Sequence, residues 1–259
     1  VLSQEELLRG TENRACMARM IDHANQALKT WEVVVTDFLS PLEGVEAKQL
    51  FTPLSEVHLL AWGGYPQAER QRLAIARPEL PLDPQQVPLA AISIAGNFLF
   101  DTATHRDFLG ALLGTGIMRE KVGDILVLGD RGAQGIVVPE LVDFLQVHLT
   151  QVRTVPVKVR PLDWTELKVR EPRQKQLTTV EASLRLDAIA SAGFSMSRSK
   201  MASLISSGDV RVNWKPVTQP SYLVKSTDLI AIRGKGRILI GEIGVTKKER
   251  YRVQLTRFL

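Results

Sequence analysis

Residues 194–215 read FSMSRSKMASLISSGDVRVNWK, and the reading of this stretch decides the fold of the C-terminal third. Met201, Leu204 and Ile205 fall on one face at helical spacing, with Ser199, Lys200, Ser203 and Ser207 turned away, which predicts a short helix over 197–207. Ser197 or Ser195 caps its start, and Gly208 supplies a left-handed stop. Val210-Arg211-Val212-Asn213 then alternates like a strand, with Arg211 and Asn213 opposite the two valines. Arg198 and Lys200 sit on the first helical turn, where the macrodipole is already positive and backbone N–H groups lack helical acceptors. A phosphate group answers both conditions.

Upstream, Leu184–Ala192 predicts a partner helix set off by Gly193. Downstream, Arg233-Gly234-Lys235-Gly236-Arg237 places three cations on a glycine-spaced stretch that allows close backbone approach. Net charge follows this division. Residues 181–259 carry 14 Lys or Arg against 6 Asp or Glu, whereas residues 1–160 carry 15 against 19, so a whole-chain charge of +5 hides a C-terminal segment of +8. Clustered cations of this kind bind polyanions by releasing phosphate counterions.

Residues 163–182, polar around Pro172 with Arg170, Arg173 and Lys175 close together, read as a linker that can also touch phosphates. Residues 84–162 alternate as βαββαβ: strand Leu89–Ala95, helix Thr104–Leu113, strands Ile125–Leu128 and Gly135–Val138 around Gly129-Asp130-Arg131-Gly132, helix Pro139–Leu149, strand Val155–Val159. That order is the split βαβ of ferredoxin-like domains and of many RNA-recognition modules. The candidate central strands, Ile-Ser-Ile-Ala and Gly-Ile-Val-Val, lack the aromatics such modules stack on bases, so a scaffold or docking role is expected for this domain. Residues 1–83 read as mainly helical. Helical periodicity runs through the first 30 residues, Trp31–Phe38 is a short strand or connector ended by Pro41, and Thr52-Pro53 opens another helix. The expected organisation is therefore α+β, in three domains with a linker at 163–182 and the basic module at 183–259.

No apolar run approaches the roughly 18 residues of a membrane span, and no secretory signal is visible. A cytoplasmic protein is expected, or one of the plastid stroma if a transit peptide has been removed. Cys16 is the single cysteine, which excludes an internal disulfide, and with histidines scattered at 23, 58, 105 and 148 it cannot build a zinc site. No metal or cofactor is expected. Several catalytic look-alikes fail on context. His105-Arg106-Asp107 has Leu112 where a kinase loop needs Asn, Ser197-x-x-Lys200 lacks the companion motifs of acylating hydrolases, and Gly129-x-x-Gly132-x-x-Gly135 lies between strands. Arg119-Glu120-Lys121 is read as a solvated turn, with contact to rRNA as the rival reading.

Arg185-Leu186-Asp187, Ser197-Arg198 with Ala202 and Ile205, Gly208-x-Val210-x-Val212-Asn213, and Val224 with Asp228-x-Ile230 together resemble the S4 RNA-binding domain over about 55 residues. That likeness implies two helices on a small sheet, with Arg185, Arg198, Lys200, Arg211, Asn213 and Lys215 as RNA contacts. Ser197, Ser199, Arg233, Lys235 and Arg237 join them from the residue reading. Trp214 departs from the family, which usually has Gly there; a turn wider than two residues is expected, its indole either stacking on a base or packing back on the module. Gly63-Gly64-Tyr65 with Ala68-Glu69-Arg70-x-Arg72, and His105 to Gly110 with Gly116 to Ile125, extend the resemblance across nearly the whole chain to the YlmH family, whose cyanobacterial and plastid members are called photosystem II S4 domain proteins. This resemblance implies an RNA-binding, ribosome-associated protein, its bacterial relatives linked to rescue of stalled large subunits; with the catalytic motifs failing, non-enzymatic binding of structured RNA, rRNA or tRNA, on the large subunit is expected. Two rivals remain: an RNA-modifying enzyme of the pseudouridine synthase type, for which Arg185-Leu186-Asp187 would supply the catalytic Asp, and a photosystem assembly or protein-docking factor.

Overall fold

A computed structural model describes residues 2–9, 11, 13–169 and 174–258. The chain divides into two compact units, Val1–Val169 and Arg170–Leu259. Helices and strands occur in both, so the fold is α+β. No helix of the described residues is long and apolar enough to cross a membrane. Arg170 and Arg173, expected to lie near phosphates, fall outside the described residues.

The first unit opens with α1 (Gln4–Leu7) and α2 (Arg14–Thr30). Asn13 caps α2 by accepting from the Cys16 N–H, and Cys16, Met17, Met20, Ile21, Ala24 and Ala27 form its buried stripe. Pro41, read above as a breaker, instead occupies the first turn of α3 (Pro41–Phe51). Ser40 and Glu43 form a reciprocal capping box ahead of it, the Ser40 N–H donating to Glu43 Oε2 at 2.8 Å. Thr52 is then a C-cap rather than an N-cap, and the chain past Pro53 runs into β2 (His58–Trp62) and β3 (Arg72–Ala76). With β1 (Val34–Val35) these make an antiparallel sheet in the order β1-β3-β2. The N-terminal region is thus helix on sheet.

The second half of this unit is β4 (Ala90–Ala95), α4 (His105–Gly114), β5 (Val122–Val127), β6 (Gly132–Val137), α5 (Val142–His148), a small hairpin of β7 (Gln151–Val152) and β8 (Val155–Pro156), and β9 (Lys158–Leu162). The antiparallel order β5-β6-β4-β9 is that of a split βαβ domain, with the last strand at Lys158–Leu162 rather than Val155–Val159. One sheet face packs on α4 and α5 through Ile92, Ile94, Phe98, Phe108, Leu112 and Leu145. The other face is covered too. Phe38 packs on Ile136 and Val138, with Tyr65, Leu89 and Leu167 alongside, and the buried Gln134 amide bridges the backbone of Glu166 and Lys168. Every residue of β6 is buried as a result.

In the second unit β10 (Gln174–Glu181) corrects the expected linker: it pairs along its whole length with β15 (Tyr251–Phe258). Then follow α6 (Leu186–Phe194), α7 (Arg198–Ser206), β11 (Val210–Val212), β12 (Lys215–Pro216), β13 (Leu229–Ile232) and β14 (Gly236–Val245). The sheet order is β10-β15-β14-β13-β11-β12. Its core joins Leu186, Ile189, Phe194, Met201 and Ile205 of the helices to Val210, Val212, Ile230, Ile238 and Leu255 of the sheet. Gly193 does not separate the helices. It lies inside α6, where an added Cβ would come within 2.4 Å of Ile238 Cδ1, and the break falls at Ser195, in the left-handed region at φ 56°.

Candidate nucleic-acid interface

Ser197 caps α7 as expected, its Oγ accepting from the Lys200 N–H at 3.4 Å, and Gly208 follows at φ 80°. Arg198, Ser199 and Lys200 are exposed on the first turn. The structure brings Arg185 to the same place from the residue before α6. Both guanidiniums lie against one carboxylate, Asp187. Arg185 donates through Nε and Nη2 at 3.1 and 3.0 Å, and Arg198 through the same pair of nitrogens at 3.2 Å each. The Asp187 side chain is only 7% exposed. Burial pushes its pKa up, but the hydrogen bonds from Arg185 and Arg198 outweigh that and hold the carboxyl below the usual range. Two positive groups are thereby fixed side by side with only one charge neutralised. Asp187 was legible as a motif letter, but not as the group that orients two arginines 13 positions apart.

The rest of the expected surface is divided. Val210 and Val212 face the helices, so Arg211 points to the opposite side of the sheet. Arg211 pairs with Ala231, and Ala231 with Arg237, which sets the two arginines on that outer face. Arg233 and Lys235 are exposed in the turn between β13 and β14, where Gly234 and Gly236 take φ 73° and 90°. Arg211, which the S4 resemblance groups with Arg198 and Lys200, thus lies away from the helices that carry them, because a strand's period of two sends it the other way.

Asn213 and Trp214 form a two-residue loop between paired Val212 and Lys215, at φ 50° and 70°. The turn is therefore not widened by Trp214. Asn213 locks it: its Nδ2 donates to Asp228 Oδ1 at 2.8 Å, and its Oδ1 accepts from the Leu229 N–H at 2.9 Å. These bonds engage the Asn213 side chain inside the module. The half-buried indole of Trp214 carries the Arg237 guanidinium 5.7 Å from its ring centroid, so it packs back on a cation, while Lys215 stands half-buried beside it.

In the first unit the quoted signature residues meet along one seam. The Asp124 carboxylate accepts from Tyr65 Oη and the Glu69 N–H at 2.7 Å each and from the Arg70 N–H at 3.1 Å, while Arg70 Nε donates to the Val122 carbonyl at 3.0 Å. Arg119-Glu120-Lys121 belongs to this seam and is not a solvated turn. The Phe38 N–H donates to the Glu120 carbonyl at 2.8 Å, Lys121 pairs with Asp37 at 2.6 Å, and burial beside Arg70 pushes the Arg119 guanidinium down to about 10. A cleft of about 320 Å³ opens here, lined among others by Cys16, His23, Glu43 and Arg70. Burial, with Glu43 adjacent, lifts the Cys16 thiol to about 11, so it is protonated at neutral pH. Among the described residues no three His, Cys, Asp or Glu gather as a metal site. His105-Arg106-Asp107 has a structural task, since Asp107 Oδ2 accepts from the Thr104 N–H at 2.8 Å to cap α4.

Two short helices on a sheet, with paired arginines where the helices begin, make the second unit an S4-type module. Family models match in sequence along the chain: "YlmH, N-terminal" over residues 12–80, "Putative RNA-binding domain in YlmH" over 84–166 and "S4 domain" over 184–230. The Ribosome-associated protein quality control protein P2 of Bacillus subtilis (strain 168) is 33% identical over 247 residues, 95% of each chain. The chain belongs to the YlmH family. A solved structure, the cell division protein ylmH from Streptococcus pneumoniae, resembles it in fold with a TM-score of 0.53 at 20% identity, covering 61% of this chain and 94% of that one.

Proposed function

We propose that the protein binds structured RNA of the large ribosomal subunit, rRNA together with tRNA held there, and works in ribosome quality control by binding rather than by catalysis. The observation that carries this reading is the Arg185–Asp187–Arg198 cluster with Lys200 beside it, a rigid positive edge on an S4 fold. Support comes from the Bacillus relative, which is named for association with the ribosome and matches along nearly its whole length. The Asp187 carboxylate, which the RNA-modifying reading would use as its catalytic Asp, is engaged by two guanidiniums. The N-terminal seam gives the first unit a stiff body rather than a second stacking sheet, because the face that RNA-recognition modules use is covered by Phe38 and by the Glu166–Lys168 segment that Gln134 holds. The reading places the protein in the cytoplasm.

Cosedimentation with purified bacterial large subunits tests it. Wild-type protein should pellet with subunits at low salt and release steeply as salt rises. Arg198→Glu with Lys200→Glu should weaken pelleting at least tenfold and flatten that dependence. Wild-type protein that stays in the supernatant at every salt concentration overturns the reading.

A further inference from the structure

A cluster of exposed positive charge in the second unit lies where none of the expected contacts fall. Strands β14 and β15 form a long hairpin whose tip, Thr246–Arg250, is closed by the Thr246 N–H donating to the Arg250 carbonyl at 2.7 Å and the Arg250 N–H donating to Thr246 Oγ1 at 3.1 Å. Glu249 holds a left-handed conformation there at φ 56°. Lys247, Lys248 and Arg250 are exposed on the tip, and Arg252 is exposed on the strand behind it. Residues 246–252 carry four cations and one acid, Glu249. Among the described residues none of the four cations forms an ion pair. That contrasts with Arg185 and Arg198, which share Asp187.

The hairpin is also built as an arm. Strand β13 pairs only with Gly236–Leu239 of β14, so the later part of β14 runs on past its neighbour. Strand β10 backs the whole of β15, from Gln174 opposite Phe258 to Glu181 opposite Tyr251, and so stiffens the projection. Ten residues of β14 separate the tip from the Arg233–Lys235 turn, about 33 Å at about 3.3 Å per residue. Unlike the cations of α7, the tip lies beyond the S4 match at 184–230.

We propose that the β14–β15 tip is a second phosphate-binding anchor, gripping an RNA backbone segment away from the one held by Arg198 and Lys200. This rests on the RNA reading above. Two anchors on one rigid unit make the second contact intramolecular, so each raises the effective concentration for the other.

The test uses the full chain and purified large-subunit rRNA, read by the slope of log affinity against log salt and by hydroxyl-radical footprinting. Lys247→Gln with Lys248→Gln and Arg250→Gln should lower the slope by about 2 to 3, at about 0.7 to 0.9 per lost phosphate contact. The same variant should lose a protected patch different from the one lost by Arg198→Gln with Lys200→Gln. The charge-keeping variant Lys247→Arg, Lys248→Arg and Arg250→Lys should restore both. If the helix variant loses slope and protection while the tip variant keeps them, the tip is no RNA anchor, its cations only guard an open strand edge, and the RNA reading stands. If wild-type protein shows neither salt-dependent binding nor a footprint, both fall.

Discussion

Asp187 makes a sharp residue-scale test because charge and geometry predict opposite signs. Asp187→Asn raises the net charge by one, which by attraction alone would tighten RNA binding. It also releases two guanidiniums from a common carboxylate, and we expect the second effect to win, weakening rRNA affinity severalfold at fixed salt; tighter binding would show that the arginines act as loose point charges. Its stability cost is about 1 to 2 kcal/mol, since the hydrogen bonds are charge-assisted but both arginines remain solvated. Because the folded carboxyl titrates below its unfolded value of about 3.9, that contribution is present above this value and is lost as pH falls through the folded one. Denaturation midpoints of wild type and Asp187→Asn should therefore converge below about pH 4. Trp214 tests a different balance. At φ 70° a glycine relieves about 1 kcal/mol of backbone strain, against a stacked Arg237 worth about 0.5 kcal/mol at a half-exposed site. Trp214→Gly should leave the melting temperature unchanged or slightly raised, whereas Asn213→Ala, which strands Asp228 and Leu229, should cost about 1 to 3 kcal/mol.

At the scale of elements, what could be read from the sequence depended on whether the signal was local. The α7 segment carried its own cap, stripe and stop, and its extent was legible to within a residue or two. The βαββαβ order was legible because apolar runs alternate with turn glycines and prolines. Pro41 was misread because a proline marks a helix start as readily as a break, and only the Ser40–Glu43 reciprocity decides between them. Thr52-Pro53 imitated the same signal without a helix behind it. Strand β10, Gln-Lys-Gln-Leu-Thr-Thr-Val-Glu, is too polar to announce itself and exists because β15 offers an edge. The covered face of the central sheet was invisible for the same reason: Phe38 lies about 85 residues before Gly123, the glycine whose added Cβ would meet its ring at 2.7 Å. Phe38→Ala should cost about 3 to 5 kcal/mol, the range for emptying a buried aromatic site. Measured by urea unfolding of the full chain, the loss should appear in the transition of the first unit; a cost below about 1 kcal/mol would mean that the seam is held by its hydrogen bonds alone.

For the whole molecule, charge and architecture divide at the same place. Residues 1–160 are net acidic while residues 181–259 hold +8, and the compact units divide at Val169–Arg170. The second unit has its own core, from Leu186 through Leu255, which touches both helices and the middle of the six-stranded sheet. A fragment of about 90 residues with such a core is large enough to fold alone. Electrostatic affinity scales with the phosphates neutralised, and the cations placed to neutralise them lie mostly in that fragment. An excised Arg170–Leu259 should therefore melt cooperatively and bind large-subunit rRNA with a salt slope within about one of the full chain's, and with affinity within about tenfold. Retained slope with affinity lost by more than about a hundredfold would assign the missing energy to non-ionic contacts of the first unit. A collapsed slope would mean that residues 1–169, despite their acidic balance, supply phosphate contacts of their own, and the division of labour drawn from the charge distribution would be wrong.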